Sequence, residues 1–199
     1  MLKIGITGGI GSGKTTVCRI FELLGIPVFY ADAQAKLVMY TDEKLRDGII
    51  HAFGFRSYLP DGSLNRKHIA DIVFKDEGKL SALNALVHPA VFRAFDHWAL
   101  KQTAPYVVKE AALLFESGSD KMCDYTILIK TPDRIKIARV MERDHITETD
   151  VRLRMARQWT DEEKEKLADY ILLNDEKLLL IPQILALHER FVSLNPIFA

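Results

Sequence analysis

The sequence predicts an α/β protein built on a parallel β-sheet. Short apolar runs rich in Val, Ile and Tyr recur along the chain, and longer amphipathic segments lie between them. Runs that can be buried on both faces are typical of strands in a parallel sheet, and their alternation with helices indicates strand–helix–strand units. The predicted strands are Leu2–Thr7, Val28–Tyr30, Tyr106–Ala111, Tyr125–Lys130 and Tyr170–Leu173.

Helix signals lie between these strands. The first predicted helix is Lys14–Leu24, directly after the first strand. A second is Asp133–Asp144, with Thr131 as its cap and Pro132 in its first turn, where proline is favoured. The sequence TDEE at Thr160–Glu163 predicts a capping box at a further helix start.

The alternation is interrupted once, between the second and third strands. Residues 31–104 are almost wholly helical in pattern, with a turn predicted at LPDGS, Leu59–Ser63. This stretch is too long for one crossover helix. We therefore expect a single domain with a helical insertion on the rim of its sheet.

Composition narrows the function classes. The chain has 199 residues, and Lys plus Arg equal Asp plus Glu at 27 each, which argues against a general nucleic-acid binder. No uncharged apolar run approaches the roughly 20 residues of a membrane span, and no signal peptide is recognisable. The two cysteines, Cys18 and Cys123, form no metal or redox motif. We expect reduced thiols in a cytoplasmic protein that is a monomer or a small homo-oligomer.

A phosphate-binding loop is the clearest functional motif. Gly8 and the segment Gly13-Lys14-Thr15 fit the pattern G-x-x-x-x-G-K-[ST], between an apolar strand and an amphipathic helix. Glycines let the backbone N–H groups converge on phosphate oxygens, and the helix N-terminus adds its positive dipole end. Lys14 supplies a full charge and Thr15 a hydroxyl for Mg²⁺. The motif predicts a nucleotide-phosphate site.

Three classes of phosphate-loop protein compete. A GTPase would carry an Asn-Lys-x-Asp guanine reader after a later strand, where this chain has TPDR at 131–134. No partner-coupling motif of a motor or transport ATPase is visible. A small-molecule kinase needs an acceptor pocket, an acid near the acceptor hydroxyl and a basic lid, and each of these has candidates.

Two acids lie where a kinase would need them. Asp32 follows the second strand, at the sheet edge where the ligand crevice of such folds lies. It could act on an acceptor hydroxyl or only cap the next helix. Glu110, near the end of the third strand, could hold Mg²⁺ through water or pair with a lysine.

The lid candidate is residues 130–157, which contain seven Lys or Arg side chains besides Lys130 itself. Arg139 and Arg143 are four apart and share a helix face, where an anionic ligand would relieve their repulsion. Glu142 and Asp144 could relieve it as well, so a solvated charged face stays open as the alternative. The other basic side chains of this segment are Arg134, Lys136, Arg152, Arg154 and Arg157.

The ordered set of motifs resembles the dephospho-coenzyme A kinase family along nearly the whole chain. The matching segments, in order, are IGITGGIGSGKTTV at 4–17, AD at 31–32, FG at 53–54, DGSLNRKHIADIVF at 61–74, LNALVHP at 83–89, LLFE at 113–116, RMARQ at 154–158 and ADYILLN at 168–174. The resemblance implies a three-layer P-loop NTPase sandwich with a five-stranded parallel sheet. It also implies transfer of a phosphoryl group from ATP to the ribose 3′-hydroxyl of dephospho-coenzyme A, with Mg²⁺ bound alongside ATP.

The resemblance also implies parts and site residues. The core is expected at 1–30, 105–135 and 166–199, the acceptor domain at 31–104 and the lid at 136–165. The expected catalytic residues are Asp32, Lys14 and Arg139. The expected ATP contacts are Gly9, Gly11, Ser12, Gly13, Lys14, Thr15, Thr16, Arg139, Arg143 and Asn174, with Thr15 also holding Mg²⁺. The expected acceptor contacts are Thr7, Asp32, Lys36, Arg66, His88 and Glu110.

The chain departs from the family pattern at three positions. Tyr30 stands where the family commonly has the first Asp of Asp-Ala-Asp, Ala112 where it often has Pro, and Gln34 where it usually has an apolar residue. Tyr30 and Gln34 bear on how the acceptor-side helix packs. Two alternatives stay open: a kinase of the same fold with another acceptor, and a non-catalytic nucleotide-binding switch. His88 precedes Pro89, which is predicted to start a helix, and it could be structural.

Overall fold

A five-stranded, all-parallel sheet organises the chain, as the sequence predicts. The computed structural model describes residues 1–194. The strands are β1 Leu2–Thr7, β2 Val28–Tyr30, β3 Tyr106–Glu110, β4 Tyr125–Lys130 and β5 Tyr170–Leu173. In the sheet the strand order is β2-β3-β1-β4-β5, so the first strand is central and its neighbours arrive later in sequence.

Helices connect the strands. Short 3₁₀ turns occur at Phe55–Ser57 and Ser119–Met122. The helices are α1 Lys14–Leu23, α2 Ala31–Thr41, α3 Glu43–Phe53, α4 Arg66–Val73, α5 Glu77–Ala99, α6 Asp133–Asp144, α7 Glu148–Met155, α8 Asp161–Glu165 and α9 Leu180–Ser193. None of the helices within residues 1–194 has the length and apolar character needed to span a membrane.

The main core lies on one face of the sheet, under α1 and α9. Ile4 and Ile6 of β1 are fully buried there together with Phe21 of α1 and Phe191 of α9. Tyr106 of β3 packs its ring edge against Phe191, with the centroids 5.5 Å apart. This packing fixes β1 and α1, and therefore the two ends of the loop that joins them.

Two compact units are present. One contains Met1–Tyr30 with the chain from Lys101 onward, and the other is Ala31–Leu100. The second unit is helical, as expected from the sequence, and its α2, α3 and α4 pack against the long helix α5. The acceptor and lid roles given to these parts stay predictions, and residues 195–199 of the predicted core lie outside the described residues.

Local predictions of helix ends were partly wrong. The capping box at Thr160 is confirmed, since its hydroxyl accepts from Glu163 N–H. By contrast, Pro132 is the N-cap of α6, and Thr131 does not cap it. The Thr131 hydroxyl instead donates to the Ser12 carbonyl at 3.0 Å, because the phosphate loop lies beside it.

Three further boundaries differ. Helix α1 ends at Leu23, one residue before the predicted end. Pro89 does not start a helix but lies inside α5, a helix of 23 residues. Packing decides here, because Val87 and Ala90 on either side of the proline are buried in the helical unit. The third strand ends at Glu110, one residue before the predicted end, although the Ala111 N–H still donates to a carbonyl of β1.

Candidate active site

The phosphate loop, residues 8–13, leaves β1 and enters α1. Its close contacts require glycine at two points. A Cβ on Gly11, whose φ is 80°, would lie 2.5 Å from the Lys136 carbonyl oxygen. A Cβ on Gly13, whose φ is 92°, would lie 2.4 Å from Asn174 Nδ2. Larger residues would displace the neighbouring backbone or strain the loop, so both glycines shape the site.

Two side-chain hydrogen bonds to the Ser12 carbonyl hold the loop in place. The Ser12 carbonyl accepts from Asn174 Nδ2 at 2.8 Å as well as from Thr131. The Ser12 hydroxyl is buried, and within residues 1–194 it has no hydrogen-bond partner. A buried hydroxyl of this kind is costly unless a ligand or water meets it, which fits a loop built to receive a polar group.

Lys14 lies at the start of α1 with its ammonium turned over the loop. Its Nζ donates to the Gly8 carbonyl at 2.9 Å and to the Gly9 carbonyl at 3.3 Å. Thr15 and Thr16 follow in the first turn and are exposed. A phosphate placed at the loop would meet the ammonium, the Thr15 hydroxyl and the N-terminus of α1 together.

The two arginines of α6 differ in their surroundings. Arg139 is half-buried, pairs with Glu176 at 3.1 Å, and brings its Nη1 to 3.7 Å from a Cβ position on Gly13. Arg143 is exposed and pairs with Asp144 at 2.7 Å, a hydrogen bond that raises the pKa of the guanidinium. The structure thus brings Arg139 to the loop, whereas Asp144 offsets the charge of Arg143. Their roles as ATP contacts stay predictions.

A cavity of about 810 Å³ opens beside the loop at Gly9. It is lined by residues at the carboxyl ends of β4 and β5 and by the chain from the end of α7 to the start of α8, including Lys130, Trp159 and Asp175. Lys136 also lines it and is only 5% exposed, although the sequence gives it no distinction from the other basic residues of the segment. Its burial in the folded protein distinguishes Lys136 from those other basic residues.

Lys136 is enclosed by two carboxylates. Its Nζ lies 2.8 Å from Asp133 Oδ1 and 2.9 Å from Asp161 Oδ2. Burial alone would lower the pKa of Lys136, but the hydrogen bonds to Asp133 and Asp161 outweigh it and raise the pKa above the usual value. The ammonium therefore stays charged next to the phosphate loop.

A second buried ion pair lies near the carboxyl end of β3. Lys164 is fully buried, and its Nζ is 3.0 Å from Glu116 Oε1 and 2.9 Å from the Ala112 carbonyl. Thr7, an expected acceptor contact, donates to the same carbonyl at 3.3 Å. Sequence reasoning did not single out Lys164 or the role of Glu116, because their positions lie far apart in the chain.

Glu110 and Tyr30 are paired in register at the ends of β3 and β2. Glu110 is buried, and its carboxylate lies close enough to Cys18 to affect that thiol. Burial first, and then the charges of Glu110 and Glu22, raise the pKa of Cys18 far above its ordinary value. The Tyr30 hydroxyl donates to Glu22 at 3.1 Å, so Tyr30 is tied to α1.

The helical unit contains the remaining predicted acceptor residues. Asp32 is exposed in the first turn of α2, which begins at Ala31, so it is not the N-cap residue of that helix. Lys36 is exposed one turn further along α2. Arg66 donates to the Tyr40 hydroxyl at 3.2 Å, and His88 stacks on Phe92 within α5. The acceptor roles of these side chains stay predictions.

The parallel sheet with strand order 2-3-1-4-5, the glycine loop and Arg139 beside that loop define a P-loop protein of the small-molecule kinase class. A family model described as dephospho-CoA kinase matches residues 2–179. The chain belongs to the dephospho-CoA kinase family.

Individual relatives agree with the family match. A protein of Salinibacter ruber named dephospho-CoA kinase is 44% identical over 181 residues, which cover 89% of this chain and 91% of the relative. The structure is similar to that of a Thermus thermophilus protein, with a TM-score of 0.80, 32% identity and 96% coverage of both chains. It is also similar to a dephospho-CoA kinase from Campylobacter jejuni, with a TM-score of 0.66, 25% identity and 96% coverage of both chains.

Proposed function

We propose that this protein transfers the terminal phosphoryl group of ATP to the ribose 3′-hydroxyl of dephospho-CoA, giving CoA and ADP in the last step of coenzyme A synthesis. The observation that carries the proposal is the family match over residues 2–179, which includes the phosphate loop and the Arg139 helix. The geometry of the loop supports it, because the Lys14 ammonium lies at the Gly8 carbonyl and Arg139 Nη1 lies 3.7 Å from a Cβ position on Gly13.

The chain's own residues divide the work of phosphoryl transfer. The loop N–H groups and Lys14 bind and orient the phosphates, and Arg139 stabilises the charge that develops on the transferred group. Asp32 accepts or orients the proton of the acceptor hydroxyl, since a carboxylate can do this within hydrogen-bond reach. The exposed position of Asp32 at the start of α2 leaves it accessible to a substrate.

Mg²⁺ is proposed to bind with ATP. Among residues 1–194, no group of three or more His, Cys, Asp or Glu side chains is arranged to hold a metal ion. The residues of the loop fit Mg²⁺, because Thr15 presents an exposed hydroxyl and Mg²⁺ commonly binds through substrate phosphates and one or two protein ligands and keeps several waters. The exposed Thr15 hydroxyl would supply one ligand, and the ion would neutralise charge on the phosphates.

Besides Asp32, five residues are proposed to contact the acceptor. Thr7 and Glu110 lie at the carboxyl ends of β1 and β3, and the other predicted contacts, Lys36, Arg66 and His88, are in the helical unit. The cationic side chains of Lys36 and Arg66 suit an acceptor with a pyrophosphate, such as dephospho-CoA, better than they suit a neutral sugar. We place the reaction in the cytoplasm, consistent with the free thiols Cys18 and Cys123, and propose a monomer or small homo-oligomer that does not act on nucleic acid.

An acceptor screen tests the proposal. ATP and Mg²⁺ are supplied with dephospho-CoA, AMP, a nucleoside and shikimate in parallel, and ADP release and phosphorylated product are followed. We expect efficient turnover with dephospho-CoA alone, with the new phosphate on the ribose 3′-oxygen, and none with the Lys14→Ala variant. Preference for another acceptor would change the proposed substrate and leave the assignment as a kinase intact. Failure with every acceptor would favour a nucleotide-binding switch.

A further inference from the structure

Residues 158–164, here called the return segment, lead the chain from α7 into α8 and contact the active-site core at several points. Gln158 Oε1 accepts from the backbone N–H of Ile10 in the phosphate loop, with the heavy atoms 2.9 Å apart. The Trp159 N–H donates to Glu116 Oε1 at 3.0 Å. Two consecutive residues thus contact the phosphate loop and the segment that follows β3.

The return segment is also held by two buried ion pairs, made by residues that follow these contacts in the chain. Asp161, 7% exposed, pairs with Lys136 of α6. Lys164 pairs with Glu116 and also donates to the Ala112 carbonyl. Because both pairs are buried, the segment cannot move without exposing them or breaking them, and Gln158 is held against the loop from a rigid support.

Ile10 lies at the end of the loop where the terminal phosphate is expected. In a phosphate loop the lysine reaches the two outer phosphates. The Lys14 ammonium lies against the Gly8 and Gly9 carbonyls, next to Ile10 in sequence. The inner phosphates are expected nearer the helix N-terminus. The bond from Gln158 therefore sets the loop's shape at the end that meets the group to be transferred.

We propose that Gln158 is a positioning residue for phosphoryl transfer, acting through the Ile10 amide and without touching substrate. The proposal rests on the proposed kinase function, and it adds that the return segment holds the terminal-phosphate end of the loop. Loss of the Gln158 bond then affects steps that involve the terminal phosphate more than it affects binding of ADP, which lacks that group.

The experiment compares Gln158→Leu with Asp124→Leu. Asp124 is a matched control because its carboxylate accepts from the Lys3 N–H at 2.7 Å, at the end of β1 that is remote from the loop. Both variants remove one side-chain acceptor from a backbone amide, but only the first amide is in the loop. Three quantities are measured: kcat with ATP and dephospho-CoA, the Kd of ADP by calorimetry, and hydrogen exchange of the Ile10 amide by NMR.

For Gln158→Leu we expect kcat to fall about fivefold and the Ile10 amide to exchange about fivefold faster, as for loss of one neutral hydrogen bond. The Kd of ADP should change by less than about twofold. Asp124→Leu should leave all three at wild-type values. Gln158→Asn, whose side chain is shorter by one methylene, should repeat the result with less disturbance of packing.

Several outcomes would overturn the inference. These are unchanged Ile10 exchange in both Gln158 variants, equal losses of kcat in the Gln158 and Asp124 variants, or a loss of ADP affinity as large as the loss of kcat. If the wild-type protein turned over no acceptor, the proposed function would fail, and exchange of the Ile10 amide would still decide whether Gln158 holds the loop.

Discussion

The buried pair between Lys164 and Glu116 offers a quantitative test of the site's support. Lys164 is fully buried and Glu116 is 13% exposed. Glu116 Oε2 is buried and has no hydrogen-bond partner within residues 1–194, while Oε1 accepts from Trp159 and Lys164. Lys164→Met therefore removes the countercharge from a carboxylate that has little other compensation.

We expect Lys164→Met to lower the free energy of unfolding by about 3–5 kcal/mol, as for other buried pairs that lose one partner. In a protein of this size each kcal/mol shifts Tm by about 2–4 °C, so the loss is about 6–20 °C. The double variant Lys164→Met with Glu116→Gln should recover most of it, because no uncompensated charge is left.

The assay is urea and thermal unfolding of the two single variants and the double variant, with the m-value checked for constancy. Lys130→Met is the control. Lys130 pairs with Glu165 at 2.6 Å, closer than Lys164 to Glu116, but both side chains are about one-third exposed. Because solvent screens this pair, loss of the Lys130–Glu165 interaction should change Tm very little. Equal shifts for Lys130→Met and Lys164→Met, or a double variant no better than Lys164→Met, would refute the argument that burial gives the pair its weight.

Three further predictions concern chemistry and pH. Asp32→Asn should greatly reduce kcat with almost no change in Tm, because Asp32 is exposed and is not the N-cap residue of α2. A fully active variant would show that another acid acts on the acceptor hydroxyl. Arg139→Ala should cut kcat roughly 10³-fold or more, whereas Arg134→Ala, on the exposed side of the same helix, should have little effect. Similar small losses of kcat in both variants would show that the arginines of α6 form only a solvated charged face. Burial lowers the pKa of His188, which contacts the Tyr106 hydroxyl at 2.7 Å, so the folded state disfavours its protonation. The stability that neutral His188 contributes is fully present above the ordinary pKa of 6.5 and is lost as pH falls through the lowered pKa of the folded state. The fall of Tm between pH 7 and 5 should therefore be shallower in His188→Gln than in the wild-type protein. An unchanged slope would contradict this prediction.

The sequence by itself determined the elements whose signals are local. Four of the five predicted strands have the predicted limits, and the capping box at Thr160 forms between residues three apart. The phosphate loop is likewise recognisable from Gly13 and Lys14, because Gly13 has a left-handed φ of 92° directly before the first residue of α1. Local patterns suffice where the interacting groups are a few residues apart.

Tertiary structure alone decided the contacts that support the site. Thr131 matches a cap signal, yet its hydroxyl bonds to Ser12, which is 119 positions away. Gln158 bonds to Ile10 across 148 positions, and the pairing of Lys136 with Asp161 depends on where α6 and α8 begin. Such partners are determined by how strands and helices pack. The sequence around one residue of a pair does not indicate which distant residue it will bond to. The same polar side chain can serve as a cap, a solvated charge or a support for the loop, and burial against a distant segment selects among these roles.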